Sequence, residues 1–294
     1  MQPVFIINSS SIASDGTVAG LTMPATEPDY KEIITDATLR RRMSRFVKMG
    51  VACGLECIGQ TSDIDAVITA TGLGCLADTE KFIESIVANN ERLLNPTPFI
   101  QSTFNTVGGQ LALLKGIHSY NVTYVHRGLS FESALIDAAL QVADGARNVL
   151  VGAIDEITVA STDVQRRLGL LKNYPLGEGS QFFMLAGKAE GAPAVCDIET
   201  HTSLTDSEFA AVIESFIQRN NLKPGDIDCV LSGSSVAGKM FGDKAVDFKK
   251  QCGEYQTATA FALWKATQMS CANVLIVNQY QQINQSLILV RRCL

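Results

Sequence analysis

The turn at Gly128 joins a predicted strand, residues 121–127, to a predicted helix that starts at Ser130. A side chain at such a strand-to-helix turn is exposed to substrate. It also lies in the positive field of the helix N-terminus, which lowers the pKa of a thiol and makes a reactive thiolate. Position 128 is a glycine, so the turn has no thiol to activate.

Two residues near this turn could supply chemistry instead. His126 is two residues before Gly128 and therefore faces the same side of the strand, toward any pocket there. Ser130 could act as a nucleophile beside it. We nevertheless expect a structural role for each residue. His126 would then pack against its neighbours or lie at an interface, and Ser130 would cap the helix N-terminus.

A repeated order of helix, strand, helix, helix and strand positions these residues. In each copy a short β-rich run opens with Asp-Ile-Asp after an amphipathic helix, and a later helix leads into an apolar strand. Apolar strands covered by helices are typical of buried sheets in α/β proteins. The corresponding segments are helices 43–58 and 206–219, runs 62–72 and 225–234, helices 130–143 and 257–269, and strands 148–154 and 273–277.

The repeat predicts a pseudo-duplicated α/β protein whose halves share one core, because each half alone has few strands. The clearest linker lies at residues 187–193, where Gly, Ala and Pro follow one another with charged residues. We therefore predict an N-terminal half over residues 1–190 and a C-terminal half over residues 191–294.

The composition indicates a compact globular protein, with 46% hydrophobic and 18% charged residues and a net charge of -6. The acidic balance argues against nucleic-acid binding, and the basic cluster at residues 40–45 lies in a predicted helix. The apolar start at residues 4–7 is too short for a signal peptide, and no segment has the length of a membrane span. Single cysteines without a Cys-x-x-Cys pair, and only three histidines, predict no metal site and buried thiols in a reducing cytoplasm. The cysteines are Cys53, Cys57, Cys75, Cys196, Cys229, Cys252, Cys271 and Cys293.

Four segments resemble successive landmarks of the β-ketoacyl synthase family, in the family's order. The repeated halves resemble its thiolase fold, which implies two βαβαβ halves in a layered α-β-α-β-α architecture and no cofactor. The chain is shorter than usual members and lacks connecting segments near residues 20–40 and 160–175. The four segments are residues 41–46, 104–110, 177–179 and 242–243.

Members of that family use one cysteine, which takes the acyl chain, and two histidines, which assist decarboxylation and stabilise the oxyanion. The resemblance places the cysteine at Gly128, the first histidine at Ser232 and the second at Glu254. It also implies an ion pair for Lys249 and a lost glycine loop at residues 279–284. Without a nucleophile no covalent acyl intermediate forms, and a carboxylate at position 254 would repel acidic intermediates.

This chain is similar to a degenerate, non-catalytic ketosynthase subunit, or chain-length factor. The resemblance implies a cytoplasmic partner of an active β-ketoacyl-ACP synthase, in contact with acyl carrier protein, in polyketide, aryl-polyene or fatty-acid type biosynthesis. The alternatives are an acyltransferase or hydrolase that uses Ser130 or His126, and a homodimer that binds acyl chains or carrier protein without catalysis. Candidates for the pocket lining or the interface are Phe104, Asn105, Gln110, His126 and Ser130.

Overall fold

A ten-stranded mixed sheet forms the framework of the computed structural model, which describes residues 1–292. Two further strands, β2 and β6, pair with each other beside it. The strands are β1 Val4–Ala13, β2 Thr22–Met23, β3 Ala66–Ala70, β4 Tyr120–Tyr124, β5 Val149–Asp155, β6 Leu176–Gly177, β7 Gly179–Ala186, β8 Pro193–Thr202, β9 Cys229–Gly233, β10 Ala245–Asp247, β11 Asn273–Tyr280 and β12 Asn284–Arg292.

Helices cover both faces of this sheet, and within residues 1–292 three short 3₁₀ turns each lie between a helix and a strand. The helices are α1 Tyr30–Ile33, α2 Ala37–Arg42, α3 Arg45–Ile58, α4 Leu76–Ala88, α5 Pro96–Gln101, α6 Thr106–Lys115, α7 Ser130–Ala143, α8 Val159–Arg167, α9 Asp206–Arg219, α10 Ser235–Phe241, α11 Lys249–Cys252 and α12 Ala258–Thr267. The 3₁₀ turns are Arg127–Leu129, Pro224–Asp226 and Gly242–Lys244.

The strand order repeats between the two halves. In the first half it is β4-β3-β5-β7-β1 and in the second β10-β9-β11-β12-β8, so each half orders its own strands third, second, fourth, fifth, first. The strand directions repeat too: the third, second and fourth strands are parallel, and the fifth is antiparallel to its neighbours. The halves meet where β1 pairs with β8, with Val4 opposite Val195. This confirms the thiolase-like pseudo-duplication, while the boundary at residue 190 stays a prediction.

Three apolar clusters separate the layers. The central cluster contains α7 and α12 and one face of each half-sheet; Phe131 of α7 lies 5.8 Å from Phe183 of β7, between ring centroids. A second cluster joins α3 and α6 to the other face of the first half, and a third joins α9 and α10 to the other face of the second. The order of layers is therefore α-β-α-β-α, as the resemblance implied.

Local capping explains where several helices begin. Helix α9 has the predicted bounds because the side chains of Thr205 and Glu208 form a capping box at its start. Helix α3 begins two residues later than predicted, at Arg45, because Ser44 caps it by accepting from the Val47 N–H. Strand β4 ends at Tyr124, earlier than predicted, and the chain turns through Arg127 with a φ of 51°.

Most cysteines are buried, as expected. Cys53, Cys57, Cys75, Cys229 and Cys252 are buried, and burial raises the pKa of Cys53 to about 11. Cys196 and Cys271 are half-buried, and Cys293 lies outside the described residues. Among residues 1–292, no helix has the length and apolar character needed to cross a membrane, and no cluster of side chains could hold a metal ion.

Candidate functional site

Gly128 lies buried in the 3₁₀ turn before α7, and an aromatic ring occupies the space beside it. A Cβ atom built on Gly128 would lie 2.5 Å from Cδ1 and 2.8 Å from Cβ and Cγ of Tyr280. These separations are shorter than carbon atoms adopt without a shift of the structure. Glycine is therefore the residue that fits, and Tyr280 occupies the space that a side chain at position 128 would need.

Ser130 stabilises the turn. The prediction that it caps α7 is wrong, because Leu129 holds the cap position and Ser130 is the first helical residue. Its hydroxyl donates to the Arg127 carbonyl at 2.7 Å and accepts from the His126 backbone N–H at 2.7 Å. The side chain is completely buried. A hydroxyl so bonded and enclosed has neither a base nor access to substrate.

His126 lies on the surface. Its ring Nδ1 is 3.1 Å from the hydroxyl of Ser133, one turn into α7, and the residue is exposed. The expectation that it faces a pocket with Gly128 is wrong because β4 ends two residues earlier, so the strand alternation no longer applies at this position. His126 contacts Ser130 through its backbone, and its imidazole does not activate the Ser130 hydroxyl.

Ser232 is the penultimate residue of strand β9, and its side chain closes the turn that follows. Its hydroxyl donates to the Ser234 carbonyl at 2.8 Å and accepts from the Ser234 N–H at 3.3 Å. Ser234 in turn caps α10 and donates to Oε1 of Gln279 at 3.0 Å. Ser232, which the resemblance places at the first histidine position, therefore stabilises the turn between β9 and α10.

Glu254 is paired with a buried lysine. Lys249 is fully buried, and its Nζ lies 3.0 Å from Oε1 and 2.8 Å from Oε2 of Glu254. It also donates to the Gln279 carbonyl at 2.9 Å. Burial raises the pKa of Glu254, while the attraction of Lys249 opposes that rise. The ion pair predicted for Lys249 is confirmed, and because it offsets the charge of Glu254, the repulsion expected at position 254 is weaker than the sequence suggested.

A close approach of two backbones fixes the position of Glu254. Its N–H donates to the Pro175 carbonyl at 2.8 Å, and its carbonyl accepts from the Gly177 N–H at 2.9 Å. A Cβ on Gly177 would lie 2.1 Å from the Cys252 carbonyl oxygen, and Gly253 has a φ of +78°. Both glycines are therefore needed to join the β6 segment to the turn before Glu254.

A polar cavity of about 620 Å³ opens above these residues. Ser232 and Glu254 lie on its wall together with Gln281 and Gln282, at the positions where the resemblance places the family's glycines. The segment at residues 170–174 forms the opposite side, where the Tyr174 hydroxyl donates to Oδ2 of Asp247 at 3.1 Å. The lining residues are Leu170, Lys172, Asn173, Tyr174, Ser232–Ser235, Gly238, Ala245, Asp247, Lys250, Glu254, Gln279, Gln281 and Gln282.

The other predicted lining residues lie elsewhere. Phe104 and Asn105 border a shallow depression beside β4, and the Phe104 ring packs against Gly74. Gln110 lines a separate, mainly apolar cavity of about 490 Å³, where its Oε1 is buried and has no hydrogen-bond partner among residues 1–292. Of the sequence-derived positions, the structure thus brings Ser232 and Glu254 to one cavity, while Gly128 packs against Tyr280 outside its lining.

Tyr280, which fills the space beside Gly128, was not among the candidate residues predicted from the sequence. It lies within residues 279–284, at the aromatic position of the family's Gly-Phe-Gly-Gly-Thr-Asn loop. It contacts Gly128, which lies 152 residues earlier in the sequence. The available signal was an aromatic residue at the position of the family's phenylalanine, in a chain whose position 128 has no side chain.

Comparison with known proteins places this geometry in context. Residues 19–161 match the family model described as beta-ketoacyl synthase, N-terminal domain. No curated protein sequence matches the chain. The ishigamide ketosynthase/chain length factor is similar with a TM-score of 0.80 at 14% identity, covering 99% of both chains.

Two further structures are similar over the whole chain. A β-ketoacyl synthase from Burkholderia phymatum STM815 has a TM-score of 0.74 at 15% identity and covers 100% of both chains. A ketosynthase in complex with its chain length factor from Xenorhabdus doucetiae has a TM-score of 0.77 at 13% identity, covering 99% of this chain and 98% of that one. At these identities the similarity shows the shared fold.

Proposed function

We propose that this chain is a non-catalytic subunit that pairs with an active ketosynthase, because residues 19–161 match the family model of the β-ketoacyl synthase N-terminal domain and the whole chain has a fold similar to ketosynthase structures. One observation carries the proposal. The position that would hold the nucleophile is Gly128, whose side-chain space is filled by Tyr280. Ser232 and Glu254 replace the two imidazoles, and both are engaged in structural contacts. Acyl transfer through a covalent intermediate needs an activated nucleophile, which this site lacks.

An exposed sheet edge supports the pairing with a partner. Within residues 1–292, β4 has a strand neighbour on one side only, β3. The other sheet edge, β10, has three residues, whereas β4 has five and begins with exposed positions. Val125 and Phe104 leave apolar surface beside β4, being 41% and 48% exposed. A long edge with apolar neighbours favours association with another chain.

The partner we propose is a cysteine-containing ketosynthase. Similar solved structures include a ketosynthase/chain length factor and a type II PKS acyl-carrier protein in complex with its ketosynthase. In this role the chain stabilises the active subunit, lines part of the pocket for a growing acyl or polyene chain, and meets its acyl carrier protein. The product class is a polyketide, aryl polyene or fatty acid.

Co-expression with a ketosynthase from the same organism tests this function. We expect the two chains to co-purify and the ketosynthase to lose condensing activity or chain-length control when this chain is omitted. If the two never co-purify and the ketosynthase is fully active alone, the proposal is wrong. Self-association without any ketosynthase would favour the homodimeric alternative.

Matched valine substitutions locate the pairing surface. Val125→Lys places a charge next to β4, and Val246→Lys places the same charge on β10, where the valine is 36% exposed. We expect Val125→Lys to lose most of the co-purified ketosynthase and Val246→Lys to keep it. Equal loss in both variants would place the interface somewhere other than the β4 edge.

Intact-mass measurement tests the lack of catalysis. We expect no covalent adduct after incubation with acyl carrier protein thioesters, because Gly128 has no nucleophile and Ser130 is enclosed. An acyl adduct that disappears in Ser130→Ala would replace the partner function with that of an acyltransferase or hydrolase.

A further inference from the structure

We infer that Tyr280 excludes acyl groups from the remodelled site, and that Gly128 and Tyr280 form a matched pair. The ring at position 280 requires a residue without a side chain at position 128, and the ring in turn blocks the space in which a carbonyl group would react. This inference rests on the proposed function, because it explains how a subunit with a ketosynthase fold leaves the acyl chain to its partner.

The contact involves the base of the tyrosine side chain. The atoms nearest to a Cβ on Gly128 are Cδ1, Cβ and Cγ of Tyr280, at 2.5, 2.8 and 2.8 Å. Rotating the ring cannot remove a contact with Cβ, because that atom moves only with the backbone. The backbone is held by the β11–β12 pairing, in which Tyr280 lies opposite Asn284. The sheet pairing therefore holds Tyr280 in the position that fills the space beside Gly128.

The negative charge of Glu254, the second degenerate position, also acts on the Tyr280 hydroxyl. Tyr280 is 7% exposed, and burial raises the pKa of its hydroxyl, with further contributions from the negative charges of Glu254 and Asp155. A reacting carbonyl would have to lie about 3 Å from both a nucleophile and the groups that stabilise its oxyanion. The tyrosine side chain already fills the space beside position 128, where such a nucleophile would stand.

The cavity shape agrees with a blocked site. The polar cavity of about 620 Å³ reaches Ser232 and Glu254, and its lining among residues 1–292 does not include Gly128. Tyr280 is likewise absent from the lining that residues 1–292 form, so the cavity ends short of the contact between Tyr280 and Gly128. The site therefore lacks a route to the position where the nucleophile would stand.

A double-mutant cycle tests the matched pair. Gly128 is not among the glycines with positive φ, so an alanine there costs stability through contact with Tyr280 and not through its backbone conformation. We expect Gly128→Ala to lower the melting temperature by several degrees in the wild-type background and by much less with Tyr280→Gly. The same loss in both backgrounds would overturn the inference.

Tyr280→Ala provides a second reading if Tyr280→Gly folds poorly. It keeps the Cβ atom at 2.8 Å and removes Cγ and Cδ1, so it should relieve the Gly128→Ala loss in part. No relief by removal of the ring would mean that another contact restricts position 128.

A binding experiment tests exclusion of acyl groups. The probe is a butyryl thioester of N-acetylcysteamine, and the variants are Tyr280→Gly, which opens the space, and Tyr280→Phe, which keeps the ring. We expect Tyr280→Gly to bind the probe at least tenfold more tightly than the wild type, and Tyr280→Phe to behave as the wild type. Equal binding by the wild type and Tyr280→Gly would refute the exclusion.

The proposed partner function and the exclusion of acyl groups by Tyr280 can be disproved separately. Tyr280 lies on β11, in the half of the sheet away from β4, so co-purification with a ketosynthase reports on the partner function. Retained pairing with unchanged probe binding would remove the role of Tyr280 alone. Tighter probe binding in Tyr280→Gly without any pairing would remove the proposed function and keep the steric block.

Discussion

Replacing Lys249 by methionine should destabilise the protein strongly, because it leaves the carboxylate of Glu254, whose side chain is 15% exposed, without its fully buried cation. Lys249 is fully buried, and its Nζ contacts both carboxylate oxygens of Glu254 and the Gln279 carbonyl. Methionine has a similar length and no charge. The variant therefore removes the cation while filling much of the same volume.

The magnitude follows from the geometry. At the 2.8 Å separation between Nζ and Oε2, an effective dielectric constant of about 20 gives an attraction of about 6 kcal/mol. Desolvation of both groups offsets part of it, and removing one partner of a buried pair costs roughly 3–5 kcal/mol. We expect a loss in this range for Lys249→Met at pH 8. Lys250→Met is the matched control, since the adjacent lysine is 77% exposed and should change stability by less than about 0.5 kcal/mol.

The loss should depend on pH with a defined sign. Burial raises the pKa of Glu254, and without Lys249 nothing opposes that rise, so the folded-state pKa lies above the unfolded value. A group of this kind favours the folded state below its unfolded pKa and loses that contribution as the pH rises through the folded pKa. The destabilisation of Lys249→Met relative to wild type should therefore be smaller at pH 5 than at pH 8.

Urea unfolding at several pH values measures these differences. The double variant Lys249→Met with Glu254→Gln should recover most of the stability that Lys249→Met loses at pH 8, because it removes both buried charges. A loss below about 1 kcal/mol, or one of equal size at pH 5 and pH 8, would refute the reasoning, since a paired buried charge predicts a larger and pH-dependent effect.

Two further predictions concern packing and the contact between the halves. Gly50→Ala should cost roughly 1–3 kcal/mol in urea unfolding, because its Cβ would lie 2.8 Å from Val107 Cγ1 between α3 and α6. Gly109→Ala, with no atom within 4 Å of its Cβ, should instead be neutral or stabilise helix α6 by about 0.5–1 kcal/mol, and similar losses in both variants would contradict this explanation. Asp155→Ala should lower stability by roughly 2–5 kcal/mol, because the carboxylate at the end of β5 accepts from both the N–H and the hydroxyl of Thr257 before α12, and from Thr71 and Gly72. An unchanged unfolding midpoint in Asp155→Ala would show that these bonds do not hold the halves together.

Features repeated along the chain were available from the sequence. The Asp-Ile-Asp runs and the helices that precede them predict two similar halves, and the strand order confirms this. The bounds of helix α9 could be predicted because the capping residues lie beside the helix. The lack of a thiol at position 128 could likewise be read from a single residue, Gly128. Hydrophobic periodicity, caps and missing side chains are local, so they can be detected without knowing which residues meet in space.

Contacts between distant segments were decided by the tertiary structure. Strand alternation pointed His126 toward Gly128, but an early end to β4 turned it to the surface. A local capping pattern favoured Ser130 as a cap, whereas its hydroxyl stabilises the preceding turn. The packing of Tyr280 against Gly128 depends on how the two halves of the sheet enclose α7 and α12, and no periodicity encodes it. The sequence by itself determined that position 128 has no side chain; only the packing of the halves decided that Tyr280 fills the space beside it.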